Sequence, residues 1–333
     1  MDRLIAIIIP ALNESVTIAD VVTRCIKAVE QGEFKCRVIV VDDGSRDDTA
    51  TIASKHGADV VRHEVNRGVG QAFRTGLQRA LDVGADFIVN IDADGQFEPE
   101  RIPDLLDPIL NGRADFTTAS RFKNPEYCPE MPRIKILGNR AMSYLISMIA
   151  GQRFYDVSCG FRAYSREATL RLNLWGEFTY TQESILDLVV KSMRLEEVPM
   201  RIRGEREHGE SRVASNLWRY GYRTARIIGN TYRDFWPMRF FGCLSLLCLL
   251  PGFGLVSFLF VHRMLSGQFT PHIWAGFTGG AFLGLGIVCL ITGVLAQMLG
   301  RMRLNQEMLL YFERKQECQS SDKLSGQERG RTH

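Results

Sequence analysis

Four short apolar runs, Ile5–Ile9, Arg37–Val41, Asp59–Arg62 and Phe87–Ile91, alternate with helical patterns at about Ser15–Gln31, Asp48–His56, Gly70–Val83 and Pro99–Asn111. Short β-branched runs ending at turn-forming residues read as buried strands, and longer amphipathic stretches as helices. The alternation predicts βαβ units: an α/β fold with a mostly parallel sheet and helices on both faces. In such sheets ligands bind beyond the carboxyl ends of the strands. The first run, Leu4–Ile9, is too short for a secretory signal and runs directly into Pro10, which supports a first strand.

The pattern changes after residue 213. Phe240–Val261 holds no charged residue, nor does the stretch from Ile273 to Leu299. Each is long enough to cross about 30 Å of hydrocarbon at about 1.5 Å per residue. Two such runs in succession are unusual for soluble core helices. Arg226, Arg233 and Arg239 precede the first span and Arg301 and Arg303 follow the second, while the connector Arg263–His272 carries one formal positive charge. The positive-inside tendency then predicts a hairpin with both flanks cytoplasmic. Residues 215–236 mix Arg219, Arg223, Arg226 and Arg233 with Trp218, Tyr222, Tyr232, Phe235 and Trp236. That composition suits a helix in the headgroup region, and an amphipathic helix packed on the soluble domain is the alternative. The expected organisation is a cytoplasmic domain over 1–213, a juxtamembrane helix region over 214–238, a membrane hairpin over 239–300 and a cytoplasmic tail over 301–333. The tail is polar from Gln316 and is expected to be disordered.

Three polar clusters fall at predicted strand ends: Pro10-Ala11-Leu12-Asn13-Glu14, Asp42-Asp43-Gly44-Ser45 with Asp47 and Thr49, and Asp92-Ala93-Asp94-Gly95-Gln96. Extended geometry would place Asp92 and Asp94 on one side of the chain. Close carboxylates repel unless a cation lies between them, and such oxygen ligands suit Mg²⁺ or Mn²⁺. Each cluster also has a structural reading as a helix cap or an Asx turn; three on one rim favour a site. Asn66-Arg67-Gly68-Val69-Gly70 is not a dinucleotide fingerprint, because Phe73 stands where a third glycine belongs, and it reads as a tight loop opening a helix.

A net charge of +3 is too small to indicate nucleic acid as a partner. The eight cysteines form no C-x-x-C pair, which argues against a zinc site or a disulfide scaffold and fits reduced thiols facing a cytoplasm.

Taken together, the three clusters, Asn66–Gly70, Ser120-Arg121-Phe122, Asp156–Arg162 and the C-terminal hairpin resemble family 2 glycosyltransferases of the GT-A fold. Within that family they look like the polyprenyl-phosphate branch, which includes dolichyl-phosphate mannose synthases and undecaprenyl-phosphate glucosyltransferases. The resemblance implies that Pro10, Leu12, Glu14 and Asp43 line a nucleoside pocket, with Glu14 near the ribose and Asp42 in support. It implies that Asp94 binds Mg²⁺ or Mn²⁺ directly, with Asp92 and Gln96 completing the shell, and that the metal neutralises the departing nucleoside diphosphate. On the acceptor-phosphate side it implies Arg121, Arg133, Arg140, Arg162, Arg206, Ser211 and Arg212, since guanidinium forks match phosphate. Ser211-Arg212 departs from a common Ser-Lys ending. Asp94, Arg121 and Asp156 are the candidate catalytic residues. Asp156 is either a base or a holder of arginines, because a lipid monophosphate with a second pKa near about 6 is already largely ionised. Glu183 is a candidate sugar or loop contact and His208 a candidate acceptor contact.

The expected activity is a metal-dependent, inverting transfer of one sugar, with a UDP-sugar favoured over a GDP-sugar, to polyprenyl phosphate at the cytoplasmic face of the bilayer, by a homo-oligomer. A processive polysaccharide synthase is the first alternative, weakened because the chain lacks Gln-x-x-Arg-Trp. A catalytically silent nucleotide-binding membrane scaffold is the second, weakened by retention of both Asp92 and Asp94.

Overall fold

A computed structural model describes residues 3–30, 34–129, 131, 133–174, 180–202, 226, 229–230 and 232–330, with side chains to Cys318 except over 133–135. The chain divides into two compact units, one of Met1–Ser215 with Met308–His333 and the other of Asn216–Glu307.

The first unit is built on a seven-stranded sheet of order β3-β2-β1-β4-β6-β5-β7. Its strands are β1 Leu4–Ala11, β2 Lys35–Asp42, β3 Asp59–Arg62, β4 Phe87–Asn90, β5 Phe116–Ser120, β6 Arg162–Ser165 and β7 Leu195–Pro199. β1 pairs in parallel with β2 and β4, as does β2 with β3 and β5 with β7. β6 runs antiparallel between β4 and β5. The helices are α1 Ile18–Glu30, α2 Thr49–Lys55, α3 Val69–Asp82, α4 Ile102–Leu110, α5 Arg133–Ala150, α6 Arg166–Arg171 and α7 Tyr180–Val190.

The sequence is buried on both sides of the central strands, which explains their unbroken apolar runs. Ile5, Ile7 and Ile9 join Val38, Val40 and Val89 under α1 and α4, forming the principal core. Ile8 faces the other way, where α3 lies so close that a Cβ at Gly76 would overlap it. β1 has β2 on one side and β4 on the other, so the crevice beyond their carboxyl ends is the topological switch point. All three polar clusters stand there.

In the second unit, α8 (Pro237–Ser266) and the first part of α9 (Ile273–Gly330) form an antiparallel hairpin. Only 17% of the most apolar window of α8 and 11% of that of α9 is buried, unlike the core helices of a soluble domain. Small residues form their seam. A Cβ at Gly252 would lie 2.9 Å from Leu283 N, one at Gly286 2.6 Å from Leu249 Cγ, and one at Gly293 3.0 Å from Phe241 Cβ. Ser245 Oγ, 2% exposed with its residue, donates to Gly286 O at 2.7 Å. Close backbone approach through glycine and a hydroxyl hydrogen bond is how helices associate in lipid, where apolar burial gives no drive. The juxtamembrane region 214–238 lies mostly outside the described residues.

Beyond Arg303, α9 continues as helix through the segment expected to be disordered. Its residues from Met308 belong to the first unit, where Tyr311 packs with Leu81, Leu170 and Cys318.

Candidate active site

The rim is assembled by bonds between loops. After β1, the amides of Asn13, Glu14 and Ser15 donate to Ser45 Oγ, Thr49 Oγ1 and Asp47 Oδ2 at 2.9, 2.9 and 3.1 Å. Arg46 N returns a bond to Asn13 Oδ1. The first two clusters are thereby one structure, and Ser45, Asp47 and Thr49 are its fasteners. Asp42 is fully buried; its Oδ1 accepts Ser45 N at 2.9 Å and its Oδ2 pairs with Arg62 Nε at 3.2 Å.

Asp43, 4% exposed, faces the loop after β3. Its Oδ1 accepts from His63 Nδ1 at 2.7 Å and from Arg67 N at 2.9 Å, and its Oδ2 accepts from Gly68 N at 2.8 Å. Those amides open α3, whose N-cap Gly68 has φ +88°. The tight loop read from Asn66–Gly70 is therefore present, and a carboxylate at its helix N-terminus is favourably placed. Gly44 makes this approach possible: at φ +78°, a Cβ there would stand 2.8 Å from Asn66 N.

β4 ends at Asn90, and Asp92–Gln96 forms a turn with Gly95 at φ +72° rather than an extended segment. The alternation argument for Asp92 and Asp94 accordingly fails, because the strand stops before them. Asp94, 5% exposed, accepts Gln96 N at 3.1 Å through Oδ1, the Asx turn expected of Asp-x-Gln after a strand. Asp92 is half-buried against Gly160, where a Cβ would lie 2.8 Å from Oδ2 and 3.0 Å from Oδ1. Fully buried Asn90 holds that glycine in place by donating to Gly160 O at 2.7 Å.

Next to this lies a buried ion pair. Arg121 Nε and Nη2 donate to Asp156 Oδ2 and Oδ1 at 2.6 and 2.9 Å, and Nη2 also reaches Ser158 Oγ at 2.8 Å. Burial opposes both charges, but the paired bonds win. They hold the Asp156 carboxyl below its ordinary value and the Arg121 guanidinium above its own. The negative charge of Asp92 adds a smaller contribution on Arg121. Behind the pair, Glu197 of β7 accepts Asp156 N at 2.8 Å and Tyr155 N at 3.0 Å. Burial pushes the Glu197 carboxyl up. Ser158 Oγ donates to Asn139 Oδ1 of α5 at 2.9 Å, and Asn139 Nδ2 donates to Tyr155 O.

The model of the family described as "Glycosyl transferase family 2" matches residues 6–172, half of the chain, and spans the whole rim just described. The chain belongs to glycosyl transferase family 2. Among curated relatives, it is 36% identical over 184 residues to the UDP-N-acetylglucosamine–dolichyl-phosphate N-acetylglucosaminyltransferase of Methanococcus voltae, covering 50% of this chain and 71% of that one. It is 26% identical over 322 residues to the undecaprenyl-phosphate 4-deoxy-4-formamido-L-arabinose transferase of Pseudomonas fluorescens, covering 90% and 85%. Among solved structures, glucosyl-3-phosphoglycerate synthase of Mycobacterium tuberculosis in complex with Mg²⁺ and uridine-diphosphate superposes with a TM-score of 0.52 at 25% identity over 69% of this chain and 78% of that one. The neighbours confirm the GT-A fold for this glycosyltransferase.

Within this family 2 glycosyltransferase, Pro10 is buried in β1, and Leu12 and Glu14 are half-buried in the loop fastened to Ser45–Thr49. Arg162 departs from its expected role. It is fully buried, with Nε on Cys159 O, Nη1 on Thr181 O and Ser184 Oγ, and Nη2 on Val157 O. Its donors fasten loops, so it is not an acceptor-phosphate ligand. Arg140 is exposed on α5 beside Asn139. Arg133 opens α5 with its side chain outside the description, and Arg206, His208, Ser211 and Arg212 lie outside the described residues. Glu183 is half-buried on α7. Sequence patterning does not mark His63, Asn90, Asn139, Gly160 or Glu197 as site residues. Asn90 lies in the run Phe87–Ile91 and Gly160 in Asp156–Arg162, but their partners are far away in sequence.

The residues fit a divalent cation. Among the described residues no three His, Cys, Asp or Glu side chains converge into a closed site. Mg²⁺ is commonly held by one or two carboxylates with substrate phosphates and water completing its shell. The Asp92–Asp94 turn offers hard oxygen donors of that type, and the missing Cβ of Gly160 leaves room for the Asp92 carboxylate.

Proposed function

We propose that this enzyme transfers one sugar from a nucleotide sugar, a UDP-hexose above others, to polyprenyl phosphate with inversion at the anomeric carbon. The reading is carried by one juxtaposition: Asp92, packed on Gly160, shares its surroundings with the Arg121–Asp156 clamp. A carboxylate group suited to a cation thus stands next to a fixed guanidinium suited to a phosphate. The names of both relatives, which specify lipid-phosphate acceptors, support the acceptor, and the two apolar helices of this chain suit a substrate embedded in a bilayer.

In this reading Asp94 and Asp92, with Gln96 at the turn, hold Mg²⁺ or Mn²⁺, which would supply Lewis-acid stabilisation of the leaving diphosphate. Pro10, Leu12, Glu14 and Asp43 border the nucleoside, with Asp42 and Arg62 fixing the loop beneath. Arg121 orients the acceptor phosphate. Asp156 acts as a positioning residue: its carboxylate is committed to Arg121 and its pKa is depressed, which makes it a poor base. None is required, since the acceptor phosphate is mostly ionised at neutral pH. Orientation and charge stabilisation then provide the rate. Arg133, Arg140, Arg206, Ser211 and Arg212 complete the acceptor side. The catalytic unit faces the cytoplasm by the positive-inside rule, and the enzyme works as a homo-oligomer.

The test is a detergent assay with undecaprenyl or dolichyl phosphate, Mg²⁺ or Mn²⁺ and a panel of radiolabelled UDP- and GDP-sugars. Transfer of label to lipid with one donor is the expected result. Failure of every donor, or transfer to a growing polymer, contradicts the proposal.

A further inference from the structure

We propose that His63, acting through Asp43, sets the choice of nucleotide base, favouring an edge with a single ring N–H donor and hence uridine over guanosine. This rests on the reading of the Asp43 rim as the nucleoside pocket.

A carboxylate has about four acceptor positions, two on each oxygen. In Asp43 three are taken. His63 Nδ1 and Arg67 N occupy Oδ1, and Gly68 N occupies one position on Oδ2. The Asp43 side chain is 5% exposed, so what remains is narrow: one position on Oδ2. Uracil presents one ring donor, N3–H, between two carbonyls, and one open position satisfies it. Guanine presents N1–H and an N2 amino hydrogen side by side and needs both oxygens of a carboxylate. Against Asp43 one of those donors would be buried without a partner, which weakens binding about tenfold or more. Cytosine and adenine present a ring nitrogen acceptor at the corresponding place, which a carboxylate repels.

His63 is the part of this arrangement that can be altered separately from the backbone. It is 8% exposed, and its Nε2 meets Thr75 Oγ1 of α3 at 3.0 Å. With Nδ1 donating to Asp43, Nε2 meets a hydroxyl that can either donate or accept, so the threonine holds the ring in place. Thr75, His63 and Asp43 thus form a line from α3 to the rim. Its end fills an oxygen that would otherwise be open to a second donor on the base.

The experiment is calorimetric titration of the full-length protein in detergent with UDP, GDP, CDP and ADP, each with Mg²⁺. The wild type is expected to bind UDP about tenfold more tightly than GDP or better. His63→Ala should narrow that ratio at least about fivefold by opening Oδ1. His63→Asn, whose amide places an N–H near the position of Nδ1, should restore it. Thr75→Val should move the ratio in the same direction by less, and serves if His63→Ala fails to fold. A wild type that binds GDP as well as UDP overturns the inference. So do variants whose affinities fall together with the ratio unchanged, since His63 would then only prop the fold. A UDP preference that follows His63 supports the inference whether or not polyprenyl phosphate is glycosylated, so failure of the acceptor reading is scored separately.

Discussion

Asp94, Asp156 and Gly160 make distinct demands on the site, and each can be changed alone. Asp94→Asn keeps the Asx turn, because an amide oxygen still accepts Gln96 N, but removes a hard anionic donor. Transfer measured in single turnover should fall about 100-fold or more, with donor-free thermal stability little changed. Asp156→Asn leaves Arg121 in a buried place without its counter-charge, a loss of about 3 kcal/mol for a broken buried pair. The sign with pH follows from the depressed carboxyl. A carboxyl lowered on folding contributes its full stability above its unfolded value of about 3.9 and loses it as pH falls through the lower folded value. The wild-type minus Asp156→Asn difference in denaturant stability should therefore hold from pH 7 to about pH 4 and close only below that. In the same variant the acid limb of kcat/KM should remain near about pH 6, where the acceptor phosphate titrates. A limb displaced by the substitution would restore Asp156 as a base. Gly160→Ala forces Asp92 to move by some tenths of an ångström, since the new Cβ would stand 2.8 Å from Oδ2. It should cost transfer about tenfold or more while preserving the fold.

At the scale of elements, β1 to β4 and α1 to α4 were readable because β-branched runs stop at turn-forming residues and the intervening helices carry clear apolar faces. β5, Phe-Thr-Thr-Ala-Ser, is too polar to declare itself. β6 has four residues and inserts antiparallel, which only its neighbours dictate. The rim was legible as clustered carboxylates, but the partners of those carboxylates were not. Asp156 pairs with Arg121 across 35 positions, and Arg162 spends its donors on three carbonyls and the Ser184 hydroxyl with no sequence signature. The end of α9 shows the same limit. A polar composition from Gln316 suggested disorder, yet the helix runs on to Gly330. Just ahead of that segment Tyr311 Oη donates to Glu167 Oε1 at 2.8 Å and Arg314 Nη1 to Leu172 O at 3.0 Å. Arg171 stacks on the Tyr311 ring at 4.7 Å. The Arg314 bond places a cationic group on a carbonyl at the end of α6. Tyr311→Phe and Arg314→Ala should each destabilise the catalytic unit by about 1 kcal/mol, read as a lower denaturation midpoint, and leave the affinity for UDP unchanged.

The whole molecule joins a nucleotide-sugar fold to a hairpin whose large apolar side chains, among them Leu247, Phe253, Phe277 and Leu285, are exposed. Such a surface is expected of a protein that lives in lipid. Arginines on both flanks and few charges in the connector predict that protease added outside sealed vesicles of cytoplasmic-out orientation removes the catalytic unit and spares the hairpin. In the proposed reaction the carboxylate turn and the guanidinium clamp together join one sugar to a lipid phosphate. The decisive measurement is intact-mass analysis of the lipid after incubation with polyprenyl phosphate, Mg²⁺ and the accepted nucleotide sugar. The expected product is a single new species heavier by one anhydrosugar, carrying one phosphate, and formed about 100-fold more slowly by Asp94→Asn. A lipid bearing two phosphates, a ladder of sugars, or unaltered lipid alongside consumed donor would contradict the proposed reaction.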